Sequence, residues 1–256
     1  MIQVSLTVST CKRLIAKGIL RHPEIQKAIS SHTLVIVGGT TNGYIAEEIL
    51  KSLGYDEPFP KKRFFRGATL PPGYSMIENE KSTDDSSFIG DVILIKGKWQ
   101  RNKIFFDIVH ELDFGDIILK GANALDMENR CAGVFVAHPM GGTTGTIIPA
   151  VIGRRVRLII PVGLEKRIYG NLDAIALKIN TTPIQGPRLM HLPGEIFTEL
   201  DAIKLLTGAT AELVGGGGIC GAEGAIWLII NGTTEQEELA NELIKEIQNE
   251  PPFSIL

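Results

Sequence analysis

The chain has 256 residues, 44% of them hydrophobic, and a formal net charge of −3. That hydrophobic share supports a sizeable core and excludes global disorder. Lys and Arg are scattered, so no basic block points to nucleic acid or a membrane surface, and no apolar run reaches the about 18 residues that a membrane-crossing helix needs.

The start, MIQVSLTVSTCKRL, lacks a basic segment followed by an apolar one, so no signal peptide is expected. From Thr10 to Ser30, Leu14, Ile15, Ile19, Ile25, Ala28 and Ile29 recur at helical spacing, and Pro23 splits the stretch into two helices. Thr33–Val37 reads as a buried strand and Tyr44–Leu53 as a helix with Ile45, Ile49 and Leu53 on one face. Residues 54–90, with Pro58, Pro60, Pro71, Pro72 and the run KSTDDSS, read as a long excursion holding one short strand.

Regular pattern resumes at Asp91. Strands are expected over Val92–Lys96, Asp116–Lys120, Gly133–Ala137 and Val156–Val162, and helices over Phe105–Leu112 and Thr146–Gly153. Apolar strands alternating with helices predict an α/β fold: a Rossmann-like, mostly parallel sheet with helices on both faces, spanning 1–182. In it, the strands at 33–37, 116–120, 133–137 and 156–162 should be parallel neighbours. The segment TTPIQGPRLMHLPG, 181–194, reads as a Pro/Gly linker. Beyond it, strands near Glu195–Phe197, Thr210–Val214 and Ala225–Ile230 and helices over Glu199–Leu206 and Glu235–Ile247 predict a small α+β, ferredoxin-like subdomain over 190–256.

Ligands of open parallel sheets bind beyond the carboxyl ends of the strands, and three polar loops fall there. Gly38, Gly39, Thr40, Thr41, Asn42 and Gly43 precede a helix, and glycines, hydroxyls and free helix N–H groups suit an anion. The same loop also reads as a capped turn. His138-Pro139-Met140-Gly141-Gly142-Thr143-Thr144-Gly145 repeats the device. Lys120, Gly121, Asn123 and Asp126 place a cation, an amide and a carboxylate at a strand end, where Lys120 could meet a phosphate and Asp126 could move a proton. A Lys–Asp pair pinning the loop is the bland alternative. Asp126, Lys120 and His138 are the catalytic candidates. The run Gly215–Gly218 could bring backbone close to a ligand, with Gly217 and Gly218 the contacts, or be a mobile hairpin. Glu165 and Lys166 read as ligand contacts or, more simply, a solvated turn. Cys11, Cys131 and Cys220 are odd in number and far apart and form neither a disulfide framework nor a CxxC metal site, which fits a cytoplasmic protein; no metal is expected.

Helix, apolar strand, Gly-Gly-Thr-Thr turn and acidic helix together resemble the start of the NagB/RpiA/CoA-transferase-like superfamily. LKGANALD is similar to the strand-plus-acidic-loop segment of ribose-phosphate isomerases, and GGTTGTIIPAVIGRRVRLIIPVGLEKR to a segment of translation-factor-2B relatives. The resemblance covers about 10–170. It implies that Gly39, Thr40, Thr41, Asn42 and Gly43 hold a sugar phosphate. The isomerase loop carries several carboxylates where this chain has Lys120 and Asn123, so the isomerase base does not carry over; Glu223-Gly224, nearest to a CoA-transferase Glu turn, lies in the wrong segment. The expectation is a phosphorylated small-molecule binder, a sugar phosphate or nucleotide-like ligand, acting as an isomerase or transferase, with a non-catalytic sensor or assembly subunit as the alternative. No nucleic-acid or membrane partner is expected, a homo-oligomer is compatible, and the cofactor is left open.

Overall fold

The computed structural model describes residues 1–65 and 90–253; most of the expected excursion at 54–90 lies outside the described residues. β1 (Ile2–Leu6) runs into α1 (Val8–Arg21), and α2 (Pro23–Ser31) follows. His22 between them has an extended ψ of 126° with Pro23 at the first helical position, as a residue before proline requires. β2 (Thr33–Ile36) leads to α3 (Thr40–Ser52), then β3 (Val92–Ile95), β4 (Lys98–Trp99) and the single turn α4 (Phe105–Ile108). β5 (Ile117–Leu119), β6 (Ala124–Asp126) and β7 (Cys131–Val136) precede α5 (Gly142–Ile148), which continues as a π-turn over Pro149–Gly153. β8 (Arg157–Pro161), α6 (Leu172–Thr181), β9 (Arg188–Leu192), β10 (Glu195–Phe197) and α7 (Glu199–Thr207) come next. β11 (Thr210–Gly216), β12 (Ile226–Asn231) and α8 (Thr234–Ile247) complete the chain.

The central sheet has six strands in the order β10-β8-β5-β2-β3-β4. β10, β8, β5 and β2 are parallel; β3 and β4 extend it antiparallel. Leu34, Val35, Ile36, Ile117, Ile118, Leu119, Leu158, Ile159 and Ile160 are buried, the unbroken apolar run expected of strands covered on both faces. Two antiparallel sheets flank it, β1-β12-β11 and β6-β7-β9. Within the described residues no helix is long and apolar enough to cross a membrane.

Three expectations need correction. The strand at 133–137 is not in the parallel sheet: β7 pairs antiparallel with β6 and β9. A parallel neighbour needs a crossover of a dozen or so residues, usually a helix, whereas residues 127–130 join β6 to β7 as a hairpin, with Arg130 at φ 47°. The expected linker at 181–194 contains β9, and the loop after Lys120 contains β6. The strands beyond 190 form no ferredoxin-like sheet: β10 joins the central sheet, while β11 and β12 pair with each other and with the N-terminal β1.

Candidate functional site at the carboxyl edge of the parallel strands

Three helices begin at one edge of the central sheet. α3 follows β2 and α7 follows β10, so both start beyond strand carboxyl ends. α1 lies parallel to α3: Ser9 pairs with Tyr44 and Arg13 with Glu47 and Glu48. It also packs against α7, where Gly18 lets Ala202 and Phe197 approach; a Cβ on Gly18 would stand 2.8 Å from Ala202 Cβ. Cys11, in the first turn of α1, meets Glu199 at the start of α7, and α1 lies against both α3 and α7, whose positive dipole ends stand at the carboxyl edge of the sheet.

The opening loop of α3 is bound on one side and open on the other. Asp91 accepts the Gly38 amide at 2.8 Å and the Phe105 amide at 2.7 Å, and the Phe64 carbonyl accepts from Gly39. Asn42 Nδ2 donates to the carbonyls of Val37 and Leu119, tying the ends of β2 and β5 together. No side chain caps α3, and among the described residues no acceptor meets the amides of Thr40, Thr41 and Asn42. Among the described residues, Thr41 Oγ1 and Asn42 Oδ1 are buried without a partner. Gly39 is extended, at φ 177°, and among the described residues a Cβ there would meet nothing closer than 3.9 Å. Gly43 instead faces Lys61, whose Cβ would lie 3.2 Å from an added methyl, so its smallness serves packing.

At the β8 and β10 end of the same edge lies a buried cluster in which Glu165 and Lys166, read from sequence as a ligand contact or a solvated turn, are joined by Lys12, Cys11 and Glu199, which the sequence did not single out as a site. Lys12, Ile15 and Ile19 share the stripe of α1 turned to the core. Lys12 is 7% exposed and, among the described residues, has neither hydrogen-bond nor ion-pair partner. Burial lowers its pKa, partly countered by the charge of Glu165. Glu199, fully buried at the first position of α7, accepts the Leu164 amide and the Cys11 thiol. Burial, reinforced by Glu165, pushes its pKa from 4.5 to about 7. The same burial raises the Cys11 thiol well above its ordinary range, with Glu199 and Glu165 adding to it. Glu165 Oε2 is buried and has no partner among the described residues, and its carboxylate occupies the space where a Cβ of Gly163 would be, 1.8 Å away. Lys166 donates to the Ala122 carbonyl at 2.9 Å. A buried charge without a partner costs several kcal/mol by order of magnitude, and groups with displaced pKa values gather where chemistry is done.

The other sequence candidates take varied positions. Lys120 directly follows β5 at this edge, its amide bonded to the Ile159 carbonyl; Gly121 comes next, and among the described residues only the Pro161 carbonyl comes near a Cβ placed on it. Asn123 braces β7 by accepting the Phe135 amide. Asp126 accepts from Asn129 Nδ2 and amide and from the Leu172 amide, so it anchors the β6–β7 turn and the start of α6; those bonds, Asn129's first, hold its pKa below the usual range. His138 is exposed, and its Nδ1 accepts the Met140 amide within its own turn. Gly141 and Gly142 have positive φ, 81° and 54°, and close that turn. Thr143, Thr144 and Gly145 belong to α5, which packs on α4 and through Phe105 and Asp91 connects to Gly38. Gly217 bonds to Ala225 in the β11–β12 hairpin, and Gly218 packs on Ala222. The base of this hairpin touches Arg167 at Gly216 and Val8 at Gly224, beside the start of α1.

A separate cleft of about 630 Å³ follows the edge strand β10. Its charges answer one another: His22 and Arg157 bind Glu195, and Arg130 binds Asp201. His22 Nδ1 is buried there without a partner, but the other unpartnered buried polar atoms among the described residues, on Thr41, Asn42 and Glu165, are all at the carboxyl edge. No family model, curated protein or solved structure matches the chain.

Proposed function

We propose that this protein binds a phosphorylated small molecule at the carboxyl edge of β2, β5 and β8, with the phosphate on the first turn of α3. The observation that carries this reading is the open helix start: among the described residues the amides of Thr40, Thr41 and Asn42 have no acceptor and the buried Thr41 hydroxyl beside them has no partner. Three parallel N–H groups and a positive dipole end suit a phosphate. The resemblance of GGTTNG to the phosphate turn of NagB/RpiA-like proteins supports the same seat. The buried Lys12, Glu165 and Glu199 favour an enzyme of the sugar-phosphate type over a non-catalytic sensor, because a sensor gains nothing from burying ionisable groups.

The test is thermal unfolding with inorganic phosphate, ribose 5-phosphate and dihydroxyacetone phosphate. A ligand at a hundredfold excess over Kd stabilises by about 2.7 kcal/mol. Gly39→Val should fold normally, given its extended φ and open surroundings, and lose the response, because the valine methyls would stand where the phosphate approaches. A parental response in Gly39→Val, or none in the parent, overturns the reading.

A further inference from the structure

We propose that Lys12 forms an imine with the carbonyl carbon of the bound compound, so that the substrate class is a phosphorylated aldehyde or ketone. This rests on the phosphate reading above. The geometry behind it is the placement of one amine. Lys12 is 7% exposed and without a partner among the described residues. It lies on the core-facing stripe of α1, one turn from the helix start, on the helix that packs against both α3 and α7. A permanently charged ammonium is a poor tenant of such a place, and desolvation favours the neutral amine, which is the nucleophilic form. Two carboxyl groups from other elements act on it, Glu165 after β8 and Glu199 at the start of α7, together with Lys166 and the Cys11 thiol.

The step balances within this cluster. The Lys12 nitrogen lone pair attacks the carbonyl carbon, and the carbonyl π electrons move to oxygen. That oxygen takes one proton from the Lys12 nitrogen and a second from the Glu199 carboxyl, and departs as water. The products are an iminium on Lys12, one water and the Glu199 carboxylate. The new cation then lies among Glu165 and Glu199, whose negative charge stabilises it. A phosphate on α3 holds the substrate while the carbonyl reaches Lys12.

Trapping decides it. The folded protein is incubated with dihydroxyacetone phosphate or ribose 5-phosphate and sodium cyanoborohydride, and the product is read by intact mass and peptide mapping. The expected result is one reduced adduct, on Lys12. It should be absent in Lys12→Arg, while that variant keeps its thermal response to inorganic phosphate. Glu199→Gln should slow the labelling and shift its pH profile without moving the label to another lysine. Phosphate binding without an adduct overturns the imine and leaves the phosphate seat standing. An adduct on Lys12 without a phosphate response supports the imine and refutes the seat. Label spread over exposed lysines, or unchanged in Lys12→Arg, refutes the proposal.

Discussion

Gly163 has an ordinary φ of −78°, so its value lies in the missing side chain: Glu165 fills that space. Gly163→Ala should leave the fold within about 1 kcal/mol of the parent, since only the tip of a flexible side chain must move, yet it should displace the Glu165 carboxylate and impair whatever chemistry the site performs. Urea unfolding and a trapping or turnover assay on one sample separate the two effects. Glu199 and Asp126 make opposite predictions with pH. Glu199 keeps its proton to about pH 7 in the folded chain and near 4.5 in the unfolded one, so its contribution declines as pH rises across that window. Glu199→Gln should therefore gain stability relative to the parent between about pH 5 and 8. Asp126 is held below its ordinary value of 3.8. Its contribution is complete above the unfolded value and drains as pH falls through the folded one, so Asp126→Asn should cost about 2 kcal/mol at neutral pH and less in acid. Chemical denaturation across pH checks both. The α3 loop could be read in the sequence because Gly, Thr and Asn at a strand end carry their meaning locally. Lys12 could not: in CKRL it reads as one more charge on an amphipathic helix, and only the packing of α1 against α7 and the sheet buries it.

The elements act on the site through their contacts. Gly18 permits the close crossing of α1 and α7 that holds Lys12 and Cys11 near Glu199. Gly18→Val would push backbone and side chains of α7 away, at about 1–3 kcal/mol by the usual cost of overpacking; the measurable consequence beyond unfolding is a Glu199 pKa closer to 4.5. Asn42 is the matching device at the strands. Strand positions were legible because Leu34–Val37, Ile117–Leu119 and Leu158–Val162 are apolar runs of the right length. Sheet membership was not, since pairing is non-local: β7 has the same apolar character as β5, and the short hairpin before it, rather than its own residues, sends it into another sheet. Asp91 and Asp116 show the same division. Each stands just before an apolar strand in the sequence, but that Asp91 binds Gly38 and Phe105 while Asp116 binds Thr33 and Asp113 emerges only from the fold.

Across the whole molecule, Arg13 joins parts far apart in the chain. It binds Glu48 and Glu250 at 2.8 Å each, as well as Glu47, while Lys61 reaches Glu47 and Glu250. Burial opposes its charge, but bonds from Glu250 and Glu47 more than offset this and raise its pKa. Arg13→Ala should destabilise by about 3 kcal/mol, because three carboxylates lose their common partner in a half-dry setting; equilibrium unfolding in urea measures it.

Lys12 has a consequence in evolutionary terms. Burying Lys12 is a standing penalty on the resting protein: its lowered pKa means that folding is disfavoured by protonation at every pH below the lysine's ordinary range. Selection for stability alone would replace it with an apolar chain of similar length. Lys12→Met should then give a ligand-free protein about 0.5–2 kcal/mol more stable than the parent, with no carbonyl chemistry left. Such a gain would mark position 12 as one where the chain trades robustness for activity.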